Sequence, residues 1–191
     1  MMKLRTFVLF VLVIIGYFLL CYASMLEVVR MPKVHDYWSF HTDEDILRTM
    51  ANAVPIVSVV YRVSVANFDQ LDVYAKRVTL LYFLKGILQF VTVVPAADGV
   101  EQCTNRTFWE MTIAGNCADM MFSGHAGLTL LMTTPKWRPI AFIGIGSLLV
   151  LTNLHYTSDV LVVPLAIHWI ESTVRMSVNG DYKICASAEP V

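Results

Sequence analysis

Residues 6–26 form an unbroken uncharged run directly after Lys3 and Arg5. A bilayer's hydrocarbon core takes about 20 apolar residues per helix, so this run alone is long enough to cross one. Residues 78–97 are apolar apart from Lys85, and residues 139–154 carry no charge. Three shorter stretches follow the same pattern: 46–66, with Arg48 and Arg62 near its ends and Asn52 and Pro55 inside it, 120–134, and 160–174. Charged side chains near helix ends reach the headgroups, so short apolar runs still span. The runs are too continuous for the alternation of a membrane barrel. The pattern predicts an all-α, polytopic membrane protein with a six-transmembrane-helix bundle over residues 1–176. Residues 177–191 are then a polar, loose cytosolic tail. Composition agrees: 57% of residues are hydrophobic and 15% charged, with mean hydropathy +0.60. Ordinary soluble domains have roughly 45–50% and about 25%. That balance excludes a disordered chain and a disulfide-dense secreted scaffold. A net charge of -1 provides no basic footprint for nucleic acid.

Lys and Arg set the orientation. Lys3, Arg5, Arg62, Lys76, Arg77, Lys136, Arg138, Arg175 and Lys183 fall on one side; Arg30, Lys33, Arg48 and Arg106 fall on the other. Both termini are therefore expected in the cytosol. The sequon Asn105-Arg106-Thr107 falls in an expected lumenal loop. The first run also fits a signal peptide cleaved after Ala23, but its length favours an anchor. Cys103 and Cys117 share the lumenal loop, either as a disulfide or as free thiols. Cys21 reads as a small buried hydrophobe, and Cys185 lies in the tail.

Ionisable residues at membrane depth are costly and mark function by default. Two clusters qualify. Cys117-Ala118-Asp119 and Ser123-Gly124-His125 stand where the fourth span begins; His155-Tyr156-Thr157-Ser158-Asp159-Val160 joins the fifth to the sixth. The topology brings both to the lumenal face. His155 and Asp159 are four apart, which on a helix places them on one side, where the carboxylate orients the imidazole. Gly124 permits close backbone approach, and Ser123 with the N–H groups of the new helix suits phosphate oxygens. His125 is then available for acid–base work. Taken singly, each motif is more often structural than catalytic. Zinc held by His125, His155 and Asp159 is the other chemical option, though no cysteine or further histidine spacing supports it. His35, His41 and His168 have no comparable neighbours, and His168 reads as an interfacial residue beside Trp169.

These clusters resemble two motifs of the sphingomyelin synthase family, within the lipid phosphate phosphatase superfamily. The family's Cys-Gly-Asp, three residues, Ser-Gly-His-Thr is matched by Cys117, Asp119, Ser123, Gly124 and His125, with Ala118 and Ala126 departing from it. Its His-Tyr-Thr-x-Asp-Val is matched in full by His155, Tyr156, Thr157, Asp159 and Val160. Its Tyr-x-x-Arg, six residues, Thr, with Pro three on, is met by Tyr82, Thr92 and Pro95, with Lys85 replacing Arg. Of its Pro-Leu-Pro-Asp, at best Pro32 and Asp36 remain. The likeness covers residues 82–174 and lacks the family's cytosolic extensions. It implies six membrane helices and a Golgi or plasma membrane location, with the endoplasmic reticulum also open. It implies transfer of a phospho-headgroup from a glycerophospholipid donor to a ceramide acceptor, without metal or cofactor. His155 is then the nucleophile, oriented by Asp159, and His125 the acid and base. Asp119, Ser123, Gly124, Tyr156 and Thr157 line the substrate site.

A lipid phosphate phosphatase is the nearest competitor. Those enzymes carry Lys-x6-Arg-Pro and a Ser-Arg pair five residues before the nucleophile; this chain has Leu148 and Leu149 there. Without that arginine a bidentate phosphate clamp is missing. A transporter or an inactive relative is the non-enzymatic alternative, and an oligomer is compatible with either. Tyr37, Trp38, Phe40 and Trp109 in lumenal loops suit a quaternary ammonium, which slightly favours choline over ethanolamine or inositol, although such residues more often form an interfacial belt. Lys85 lies eight residues into the third span, roughly 12 Å from its cytosolic end. On that count it is remote from the histidines, and it either snorkels or pairs with Glu171.

Overall fold

The computed structural model of the chain describes residues 4–28, 45–91, 122–152 and 154–186. Every regular element among them is helical, as expected for an all-α chain. Helix α1 covers Leu4–Val28, α2 Asp45–Val65 and α3 Phe68–Val91. Helix α4 covers Gly124–Met132 and is followed by a 3-10 turn at Pro135–Trp137. Then come α5 at Arg138–Leu151, α6 at Thr157–Leu161 and α7 at Val163–Ala186.

Several boundaries differ from expectation. Helix α3 starts at Phe68 rather than Val78, so residues 66 and 67 alone separate it from α2. A reciprocal cap explains this. Gln70 N–H donates to Asn67 Oδ1 at 2.9 Å, and Asn67 N–H donates to Gln70 Oε1 at 3.1 Å. That is the capping-box exchange, which satisfies two otherwise orphaned donors. The polar turn after it is held by Lys76 and Asp72, 3.2 Å apart and one helical turn removed. Pro55 sits inside α2 without ending it. The expected sixth span is broken at Val162, and α7 restarts with Pro164 in its first turn, where no intrahelical N–H is required. Nor is the polar stretch after residue 176 loose throughout: α7 continues to Ala186.

Helix α4 is the hub. Helices α2, α3, α5 and α7 all pack against it, while α1 lies along α3. Its buried residues include Ala126, Gly127, Leu130, Leu131 and Met132. Around them Leu81, Phe122, Ile145, Leu149, Val163, Ile167 and Ile170 form one core. Gly127 sets the closest approach: a Cβ there would stand 2.8 Å from Leu81 Cδ1. Gly146 does the same for α5 against α6, where a Cβ would meet Val160 Cγ1 at 2.9 Å.

A nine-residue helix buried on several sides leaves its last carbonyls needing donors. Two arginines supply them. Arg62 Nε of α2 donates to the Met132 carbonyl, and Arg138 Nε donates to Leu130 O at 3.0 Å and Thr133 O at 3.2 Å. Arg138 also grips Glu171 of α7 with two parallel bonds, 2.7 and 2.6 Å. Arg77 of α3 approaches the same carboxylate at 3.6 Å. One acidic side chain thereby joins α3, α5 and α7 beneath α4, and the cations complement the negative end of that helix.

Glu171 therefore does not pair with Lys85, which was one of the two alternatives the sequence left open. Its partners are the arginines at its own end of the bundle. In thermal unfolding, Arg138→Met and Glu171→Gln should each cost about 2 kcal/mol and show a coupling of at least ~1 kcal/mol in a double-mutant cycle. Lys85→Met and Glu171→Gln should instead add independently. Coupling in the second pair but not the first would contradict this arrangement.

Candidate active site

The opposite end of α4 gathers the chemistry. Ser123 is the N-cap, fully buried, and its Oγ accepts the Ala126 N–H at 3.2 Å. Such a cap satisfies one of the first-turn donors. Ser123 N–H donates in turn to the Asp159 carbonyl at 3.3 Å, tying the start of α4 to α6. This contact brings the two sequence clusters together: the rings of His125 and His155 lie 5.9 Å apart, edge to face at 65°. Gly127 N–H continues the helix to Ser123 O at 2.9 Å.

His155 and Asp159 meet, though not on one helical face. His155 precedes α6, Tyr156 is its N-cap, and Asp159 is the third residue inside. The Asp159 carboxylate reaches back, and Oδ2 accepts the Tyr156 N–H at 3.0 Å. The same oxygen stands 3.7 Å from His155 Nδ1. The pairing thus comes from a helix N-terminus, where a carboxylate is favoured by the dipole as well as by the N–H. His155 and Asp159 are 4% and 2% exposed, so the carboxylate and the imidazole interact with little screening by water. Tyr156 is buried and Thr157 half-buried, both beside this turn.

Lys85 belongs to this end too, and its expected remoteness is overturned. It is 2% exposed, and its Nζ donates to the Phe122 carbonyl at 2.9 Å, immediately before Ser123. A Cβ on Gly124 would stand 2.8 Å from that nitrogen. The eight residues from Arg77 to Lys85 rise roughly 12 Å, and the nine residues of α4 rise about 13 Å. Lys85 therefore crosses the full depth of α4 and arrives level with its N-terminus. The sequence reading started the third helix at Val78, whereas α3 begins at Phe68, and it did not show how short α4 is. Tyr17 of α1 covers the ammonium, with its ring centroid 5.9 Å from Nζ, and packs edge-on to Tyr82 at 5.1 Å. Tyr17 was not singled out in the sequence, because one tyrosine in an apolar run carries no local signal.

Asp119, the Cys103–Cys117 pair, the sequon, Pro32 and Asp36, and the aromatic residues Tyr37, Trp38, Phe40 and Trp109 lie outside the described residues. Among the described residues, no three His, Cys, Asp or Glu side chains are grouped to hold a metal ion. His168 and Trp169 are exposed on α7, away from the core.

The arrangement offers two imidazoles, a carboxylate, an ammonium, and the first N–H groups of α4 around one edge. That set suits an anionic centre that gains and loses ligands, as a phosphoryl group does. Comparison with known proteins adds no relative: no family model, no curated protein and no solved structure matches the chain.

Removing the Ser123 hydroxyl should cost about 1 kcal/mol. The loss should appear as a lower melting temperature of Ser123→Ala, and Ser123→Thr should recover most of it. An unchanged melting temperature for the alanine variant would show that the cap does not hold this end.

Proposed function

We propose that the chain is a membrane phosphotransferase that moves a phospho-headgroup from a glycerophospholipid to ceramide. Phosphocholine is the favoured group; phosphoethanolamine and phosphoinositol are the alternatives. The observation that carries the reading is the meeting of His125, His155, Asp159 and Lys85 at one end of α4. In this account His155 uses the nitrogen turned away from Asp159 to attack phosphorus. The phosphorus–oxygen bond to diacylglycerol breaks, and His125 gives its proton to the departing oxygen. Ceramide's primary hydroxyl then returns a proton to His125 and attacks phosphorus, and the phosphorus–nitrogen bond breaks. Splitting the transfer into two displacements at one centre is ordinary nucleophilic catalysis. Lys85 and the N–H groups at the start of α4 balance the charge on the phosphoryl oxygens. Ser123, Gly124, Tyr156 and Thr157 shape the surrounding wall.

The membrane setting is part of the proposal: six spans, termini in the cytosol, and the histidines facing the lumen or exterior of Golgi or plasma membrane. Apolar side chains turned outward support it, among them Phe7, Leu9, Leu12 and Ile15 on α1, Val57 and Val60 on α2, and Ile140 and Ile143 on α5. Patches of this extent mark contact with lipid or protein. Among the described residues one helix, Ile46–Val65, is long and apolar enough by itself to cross a membrane. Leu149, where a phosphatase would carry its arginine, is fully buried in the core. That favours a lipid acceptor over the water used by a phosphatase.

Purified protein in detergent should convert fluorescent ceramide to a phosphosphingolipid when each phospholipid donor is supplied in turn. His155→Ala should lose about 10³-fold or more of the rate, and Asp159→Asn about 10²-fold or more with the fold kept. Lys85→Met should lose about 10²-fold. Gly124→Ala, which pushes Lys85 off its seat, should lose about tenfold or more. Release of phospho-headgroup to water at the same rate with and without ceramide would make the chain a phosphatase. Wild-type turnover in the first two variants would remove the assignment altogether.

A further inference from the structure

The end of the bundle away from the histidines holds a cavity of about 380 Å³ between α2, the end of α4 and the 3-10 turn. Among the described residues its wall carries two cations, Arg62 and Lys136, and no carboxylate. Arg62 is held in place because its Nε donates to the Met132 carbonyl, and its terminal nitrogens have no partner among the described residues. Lys136 makes one described contact, over the face of Trp137 at 5.7 Å. The space thus carries one anchored and one exposed positive charge, with no counter-charge among the described residues. The nearby Arg138 and Arg77 differ, since both already face Glu171.

The rim shows which kind of anion fits. Trp137 and Tyr61 are 54% and 63% exposed. Amphipathic rings beside cations are the side chains that settle at a membrane–water boundary. Just beyond them Val57 and Val60 on α2 and Ile140 on α5 turn outward, apolar surface on which acyl chains would lie. A polar, cationic cavity opening onto such flanks matches a lipid whose headgroup is anionic. Basic pockets between helices at the cytosolic surface are a recurrent site for such headgroups.

We propose that this cavity binds the headgroup of an anionic glycerophospholipid, with Arg62 and Lys136 on its phosphate and Trp137 at the glycerol level. The site rests on the membrane setting above and is independent of the chemistry at the histidines. It is occupied from the cytosolic leaflet and braces α2 against the 3-10 turn.

Thermal unfolding of the full chain in non-ionic detergent tests the proposal, with phosphatidylserine, phosphatidylcholine or inorganic phosphate added in separate arms. Phosphatidylserine should raise Tm by about 5 °C more than phosphatidylcholine, which binds only as donor at the histidines, and inorganic phosphate should not raise it. Lys136→Gln, an exposed position, should fold with the wild-type Tm and lose most of the rise. His155→Ala should keep the rise, because its ring lies at the other end of the bundle. The proposal is overturned by no rise, by an equal rise with phosphatidylcholine, or by a rise that survives Lys136→Gln. A rise with inorganic phosphate alone makes the cavity a free-anion site, and a rise lost in His155→Ala puts the lipid in the active site; either also overturns it. A chain that stays monodisperse without detergent overturns the membrane setting, and this site with it.

Discussion

A short helix enclosed by its neighbours has to satisfy both of its ends inside the protein, and α4 is such a helix. Its carbonyl end is met by Arg62 and Arg138, and its N–H end by Ser123. These caps fix where α2 and α5 stand, because each arginine belongs to a different helix. Arg138 then commits α7 through Glu171, and Arg77 commits α3 through the same carboxylate. The bundle is thus registered by polar contacts at the arginine end, while Gly127 lets the apolar faces close between the two ends.

Once α4 is registered, the site at its other end follows. Ser123 bonds to the Asp159 backbone, and the turn before α6 is drawn against the start of α4. His155 and His125 meet because of this contact, although they are distant in the chain. Asp159 has two tasks that depend on one location: it caps α6 and stands beside His155. The ammonium of Lys85 completes the set only because α4 is as short as the rise from Arg77 to Lys85. A longer α4 would leave that charge stranded in the core, where it would need another partner.

Much of this was legible from residue order. Helical class followed from the long uncharged runs, and the meeting of the two histidine clusters was expected from the alternating direction of successive helices. What the runs did not contain was where helices begin. Hydropathy sees the apolar part of α3 and misses its polar first turns, which the Asn67–Gln70 exchange and the Asp72–Lys76 pair hold in place. The same blindness hid the end of α7, whose last turns are polar. The choice of partner for Glu171 was illegible for a related reason. In the sequence Arg138 is one of several charges on the cytosolic side, and only the fold turns its side chain under α4. The spacing of His155 and Asp159 suggested a shared helix face, whereas a helix start delivers the same proximity through a cap.

The proposed mechanism has His155 carry the phosphoryl group between donor and acceptor. It is tested most directly by mixing the purified protein with donor lipid labelled at phosphorus, in the absence of ceramide, and quenching rapidly under alkaline conditions. The expected result is an acid-labile, base-stable label on the protein that maps to His155, is absent from His155→Ala, and disappears when ceramide is added. Label that stays in His155→Ala, or turnover without any labelled histidine, would contradict it.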